Sequence, residues 1–175
     1  AATSFFKIGD ASSDLVKSFA VYDNALVVFC ENSTWLNYMT STTPADWRQV
    51  RVRSTFGCKS AFGNWEYQNK IGFPAFQNTK FAGFAALNGS AVEPSATLLT
   101  VSVAGGELLS DKIEPDMFNV QEAYAGNISS IVYKNRAFIA VTYESPNTTN
   151  NRIYMFDFSQ SNLASSQKFS WVPIT

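Results

Sequence analysis

The chain alternates between apolar and polar residues with a period of two along almost its whole length, and asparagine turns break that alternation at matching places. A period of two belongs to strands with one face in and one face out, whereas a helix repeats every 3.6 residues. Three stretches share one layout: a short strand, an Asn-bearing turn, an apolar strand, a polar loop and an aromatic strand. The turn asparagines are Asn24, Asn69 and Asn135, with spacings of 45 and 66 residues. The first spacing is the size of a repeat of ~40–50 residues, and the second is one repeat plus an insertion.

The strands expected in the first stretch are Ser18 to Tyr22, Ala25 to Cys30, Thr34 to Met39 and Gln49 to Arg53. In the second they are Asn64 to Tyr67, Lys70 to Phe73, Phe81 to Leu87 and Ala96 to Val103. In the third they are Ser129 to Tyr133, Ala137 to Tyr143 and Arg152 to Phe158, with a last strand beginning at Trp171. The reading is an all-β chain of β-propeller-like blades of antiparallel strands, with a β-sandwich as the competing arrangement. One stretch has helical logic. Ser110 is a candidate N-cap before the acidic residues Asp111 and Glu114, and Ile113, Met117 and Val120 share a helical face, so one short helical insertion is expected near 110–120.

With 175 residues, residues 1–175 form a single all-β domain or a fragment of a larger propeller. The start at Ala1 without Met suggests a processed chain or a piece of a longer one. No stretch of ~18 apolar residues is present, so no membrane span is expected. Charged residues are only 15%, with Ser, Thr, Asn and Gln in their place, and the net charge of −1 gives no global pull toward nucleic acid. The chain has no histidine, which removes every Ser-His, Cys-His and His-metal mechanism from this chain. Two cysteines in apolar settings, Cys30 and Cys58, read as buried free thiols rather than a disulfide. Four Asn-x-Ser/Thr triplets carry little weight in a chain this rich in those residues.

Few groups could carry chemistry. Glu107, Asp111, Glu114 and Asp116 lie close in sequence, as a glycosidase pair would require, but read more simply as a capped helix start. No phosphate loop, dinucleotide fingerprint or nucleophile elbow is present. No catalytic residue, cofactor or metal is therefore assigned. Arg48, Arg51 and Arg53 form the only basic cluster, with Trp47 beside it, and Arg51 and Arg53 on one strand face are the candidates for contact with a polyanion or a partner. Trp35, Tyr38, Trp47, Trp65, Tyr67 and Trp171 could form a sugar-stacking platform, so a carbohydrate-binding β module using Trp35, Trp65 or Trp171 is the alternative function.

The order of features carries a resemblance. Leu26 to Cys30 is an apolar strand that leads through Glu31 into Ser33-Thr34-Trp35. Phe56-Gly57-Cys58-Lys59-Ser60 follows, then Asn69-Lys70-Ile71-Gly72-Phe73 and Gly83. Leu109-Ser110-Asp111-Lys112-Ile113-Glu114-Pro115 precedes Ala137 to Tyr143, Asn151 to Asp157 and the tail Phe169-Ser170-Trp171. Over residues 25–172 this resembles the propeller-type structural proteins of tailed bacteriophages, of the tail hub and nozzle kind. The resemblance implies a non-enzymatic virion or tail component that joins neighbouring subunits and lines a passage for DNA. Because about three or four blades leave sheet faces and edges uncovered, it also implies an oligomer or a place in a larger assembly.

Overall fold

The computed structural model describes residues 8, 14–22, 24–53, 55–67, 69–89, 94–98, 119–157 and 170–174. They form three four-stranded antiparallel sheets. The first holds β1 (Val16–Tyr22), β2 (Ala25–Cys30), β3 (Thr34–Tyr38) and β4 (Arg48–Arg51). The second holds β5 (Trp65–Tyr67), β6 (Lys70–Gln77), β7 (Lys80–Gly89) and β8 (Pro94–Leu98). The third holds β9 (Ser129–Tyr133), β10 (Arg136–Val141), β11 (Arg152–Asp157) and β12 (Ser170–Ile174). In each sheet every strand pairs with the one before and after it in sequence, an uninterrupted up-and-down meander. The all-β reading holds, and there are three sheets rather than the two of a sandwich.

The asparagine turns do what the sequence asks of them. Tyr22 pairs with Ala25, Tyr67 with Lys70 and Tyr133 with Arg136, so each sheet opens with a two-residue hairpin turn. Such turns match strand twist only when their central residues take positive φ, which Asn tolerates better than other side chains. Asn24, Asn69 and Asn135 have φ of 58°, 58° and 60°. The β6–β7 turn uses Asn78 and Thr79 in the same way, at φ of 50° and 71°.

Two strands run further than the sequence indicated. β6 continues through Pro74 to Gln77, past the expected end at Phe73. β5 pairs with β6 only as far as Gly72, so Pro74 lies beyond it, where a missing N–H leaves no β5 carbonyl unpaired. β7 likewise reaches back to Lys80, because the tight Asn78–Thr79 turn starts it at once. The expected helix near 110–120 falls mostly on residues 110–118, outside the described residues. Val120 makes an antiparallel bridge to Tyr143 rather than a helical turn, and short 3-10 segments occur instead at Pro44–Asp46 and Glu122–Asn127.

The sheets stack face to face with the second in the middle. One core joins the first and second sheets through Val27, Phe29, Leu36, Ile71, Phe73 and Leu87. Phe29 meets Phe73 across it, with ring centroids 4.9 Å apart. The other core joins the second and third sheets through Trp65, Tyr67, Phe84, Ile139, Tyr154 and Phe156. The middle sheet is covered on both faces, so β6 reads as a nearly continuous apolar run instead of an alternating one. Gly72 pairs with Trp65 and must be glycine, since a Cβ there would lie 2.2 Å from the indole Cε2.

The stacking is directional. In β2, positions 1, 3 and 5 after the turn asparagine are Ala25, Val27 and Phe29, and they face the second sheet. The residues that receive them, Ile71, Phe73 and Ala75, are positions 2, 4 and 6 of β6. The next interface repeats this rule: Gly72, at position 3, and its pair partner Trp65 lie on the face turned toward Ala137, Ile139 and Val141, positions 2, 4 and 6 of β10. Each sheet thus lays its odd face on the even face of the sheet that follows.

Candidate functional site

Arg51 ends β4 and Arg53 lies two residues on, and both are exposed, while Val52 between them is buried and donates its N–H to the Thr34 carbonyl at 2.9 Å. The alternation of valine in and arginine out holds. Arg51 sits opposite Trp35, with its guanidinium carbon 5.9 Å from the indole centroid. β4 is the edge of the first sheet farthest from β1.

The tryptophans separate sharply. Trp65 is 4% exposed between the second and third sheets, flanked by Phe84 and Phe156, so it is not available to stack on a sugar. A single sequence shows an aromatic strand but not that a third sheet covers it. Tyr67 is buried beside it, and burial pushes its phenol pKa above the usual value. Trp35 is half-buried, and its Nε1 donates to Ser33 Oγ at 2.8 Å. Ser33 in turn donates to Asp14 Oδ2. Trp47 is half-buried with its Nε1 bonded to the Ser41 carbonyl at 2.8 Å. The Trp171 side chain and the acidic residues Glu107, Asp111, Glu114 and Asp116 lie outside the described residues. Among the described residues no group of three His, Cys, Asp or Glu side chains is placed to hold a metal ion. An open polar hollow lined by Gln121, Glu122, Glu144 and Ser145 is present, but Glu122 Oε1 accepts the Phe81 N–H at 3.1 Å and so ties two parts of the fold together.

Cys30 and Cys58 are buried free thiols. Their backbones touch, Cys58 N–H donating to the Cys30 carbonyl at 2.8 Å. Cys58 belongs to the core between the first two sheets, whereas Cys30, at an even position of β2, does not. Burial pushes the Cys30 thiol up to about 11 and the Cys58 thiol to about 12, so neither is a thiolate near neutral pH.

The site that the sequence reading missed lies on the third sheet. The signal was present as a tyrosine two residues before each turn asparagine: Tyr22, Tyr67 and Tyr133. All three are in the same register and on the odd face of their sheet. Tyr22 packs against the first core. Tyr67 is 3% exposed, with its ring 5.3 Å from that of Phe156 in the next sheet. Tyr133 is 60% exposed. Two residues earlier the contrast recurs, because Ile131 stands in register with Trp65 and is 67% exposed. Behind Ile131 the half-buried Phe138 and Met155 continue the same face. Its border is polar, with Arg136 Nε 2.8 Å from Asp157 Oδ2.

The first strands of the three sheets run beside one another along one side. Asn64 Nδ2 donates to the Phe19 carbonyl at 3.0 Å, and Phe62 bridges Ser129 in parallel. Ser130 Oγ donates to the Asn64 carbonyl at 2.8 Å. The side chains exposed there include Phe19, Val21, Phe62, Ile131 and Tyr133, with no arginine among them. Comparison with known proteins finds no family model that matches this chain and no curated relative.

Proposed function

We propose that this chain is a non-enzymatic structural subunit of a phage virion or tail, built from propeller-type blades and holding its neighbours by exposed sheet faces. The observation that carries the reading is the exposed β9 side of the third sheet's odd face, where Ile131 and Tyr133 stand open although their counterparts Trp65 and Tyr67 are interior. Exposed apolar patches of this kind mark surfaces that work in contact with another protein. Three meanders stacked in one direction, with their first strands side by side, are what consecutive blades of a propeller would present. The virion assignment rests on the resemblance over residues 25–172.

In this reading the first strands face the axis of the assembly and β4 faces its rim. Arg51 and Arg53 then serve as a rim contact to an acidic surface of a neighbouring subunit, and any DNA passage is bordered by the apolar first strands rather than by this pair. The test is quantitative mass spectrometry of gradient-purified particles and of isolated tails. The chain is expected in both at a fixed copy number per particle. Its absence from particles of a phage that encodes it would refute the assignment.

A further inference from the structure

The exposed side of the third sheet has a relief of its own. Phe62 bridges Ser129 in parallel, so it extends the odd face past β9, and four columns lie side by side: Phe62, then β9, β10 and β11. Across the strands, one row is Phe62, Ser129, Ala140 and Ile153. The next holds Ile131, Phe138 and Met155, and the last Tyr133, Arg136 and Asp157. The large residues of the first two columns stand proud, with Phe62 74%, Ile131 67% and Tyr133 60% exposed. The apolar residues of the other two lie lower: Phe138, Ala140 and Met155 are half-buried and Ile153 is 38% exposed.

A surface with one proud half and one sunken half fits a copy of itself turned about a two-fold axis. With the axis parallel to the strands, between β9 and β10, Ile131 of each copy meets Phe138 of the other and Phe62 meets Ile153. Tyr133 comes over Arg136, whose charge Asp157 already holds at 2.8 Å, and an aromatic face suits a guanidinium. Every pair is made twice, as an isologous contact requires. Taking about 150–250 Å² for a whole aromatic side chain, the exposed groups leave roughly 400 Å² of apolar surface open per copy. Two copies with their half-buried neighbours then cover roughly 1,000–1,200 Å², the lower end of specific interfaces.

We propose that the chain pairs with a second copy through the odd face of its third sheet, with Phe62, Ile131 and Tyr133 of one copy on Ile153, Phe138 and Arg136 of the other. The contact closes at two copies. It goes beyond the subunit reading by naming one neighbour.

Analytical ultracentrifugation of the full chain tests the pairing. The wild type should reach two copies of 19.3 kDa and no more. Ile131→Asp should weaken self-association at least tenfold, and Phe19→Asp, on the first sheet, should leave it unchanged. Both residues are exposed, so circular dichroism should show unchanged folds. Cross-linking tests the axis. Within one chain Phe62 and Ile153 are three strand spacings apart, ~14 Å, too far for a disulfide. A chain carrying Phe62→Cys with Ile153→Cys should therefore oxidise to covalent dimers at least tenfold faster than either single variant. A wild type that stays monomeric or grows past two copies would overturn the proposal. So would a dimer that Phe19→Asp breaks, or equal cross-linking by the double and single variants. Presence of the chain in particles is measured separately, so the dimer and the subunit reading can fail independently.

Discussion

Replacing the three register-equivalent tyrosines by alanine one at a time should give three different costs. Tyr67 lies between two sheets, 3% exposed and in edge-to-face contact with Phe156 at an interplanar angle of 86°. An aromatic side chain covers about 150–250 Å² when buried, which at about 25 cal/mol per Å² corresponds to about 4–6 kcal/mol before relaxation. Measured truncations of buried aromatics fall at about 3–5 kcal/mol, and Tyr67→Ala is expected in that range. Tyr22 is only partly buried against its core and should cost about half as much. Tyr133 is exposed, and Tyr133→Ala should change stability by less than about 0.5 kcal/mol in the isolated chain. The assay is urea unfolding followed by tryptophan fluorescence, at a concentration low enough to keep the protein monomeric. A Tyr133→Ala cost equal to that of Tyr67→Ala would refute the reasoning, because it would mean that the third sheet is already covered within the chain.

Three further outcomes follow from the same structure. Asn135→Ala forces a Cβ without a compensating amide into φ of 60° and should cost about 1 kcal/mol, while Asn135→Gly should be nearly neutral by urea titration. Cys30 and Cys58 should resist a thiol-specific disulfide reagent at pH 8 until the chain unfolds. Because both folded pKa values lie above the ordinary value of 9.0, the folded form holds its thiol protons more tightly. The urea midpoint should therefore stay level below pH 9 and fall as pH rises from 9 toward 12; a midpoint that rises over that window would contradict the burial of the thiols. Arg51→Glu with Arg53→Glu should leave the unfolding curve unchanged and impair particle assembly, which a plaque assay measures; normal titres would remove the rim contact.

The strands were largely legible because each lies in a meander whose turns announce themselves. β2 and β9 match the expected limits to the residue, and the turn asparagines mark all three first hairpins. The extension of β6 past Phe73 was not legible, because a proline at position 74 does not tell whether a neighbouring strand reaches that far. Trp65 misled for a different reason. Its strand is short and amphipathic, with Glu66 pointing out, and only the arrival of the third sheet turns its apolar face into an interior. The same gap hid the open face. Tyr133 and Tyr67 have the same local sequence context, a tyrosine two residues before a turn asparagine, and differ only in whether another sheet follows. Local sequence encodes each sheet and its turns, whereas the order of stacking decides which sheet face remains open.

The measurement that bears most directly on the account is the solution mass of the unmodified chain by light scattering across a concentration series. Neighbouring subunits held by exposed sheet faces should give a mass that rises with concentration above 19.3 kDa. A mass fixed at that of one chain throughout the series would contradict a reading in which copies of this chain hold one another by those faces.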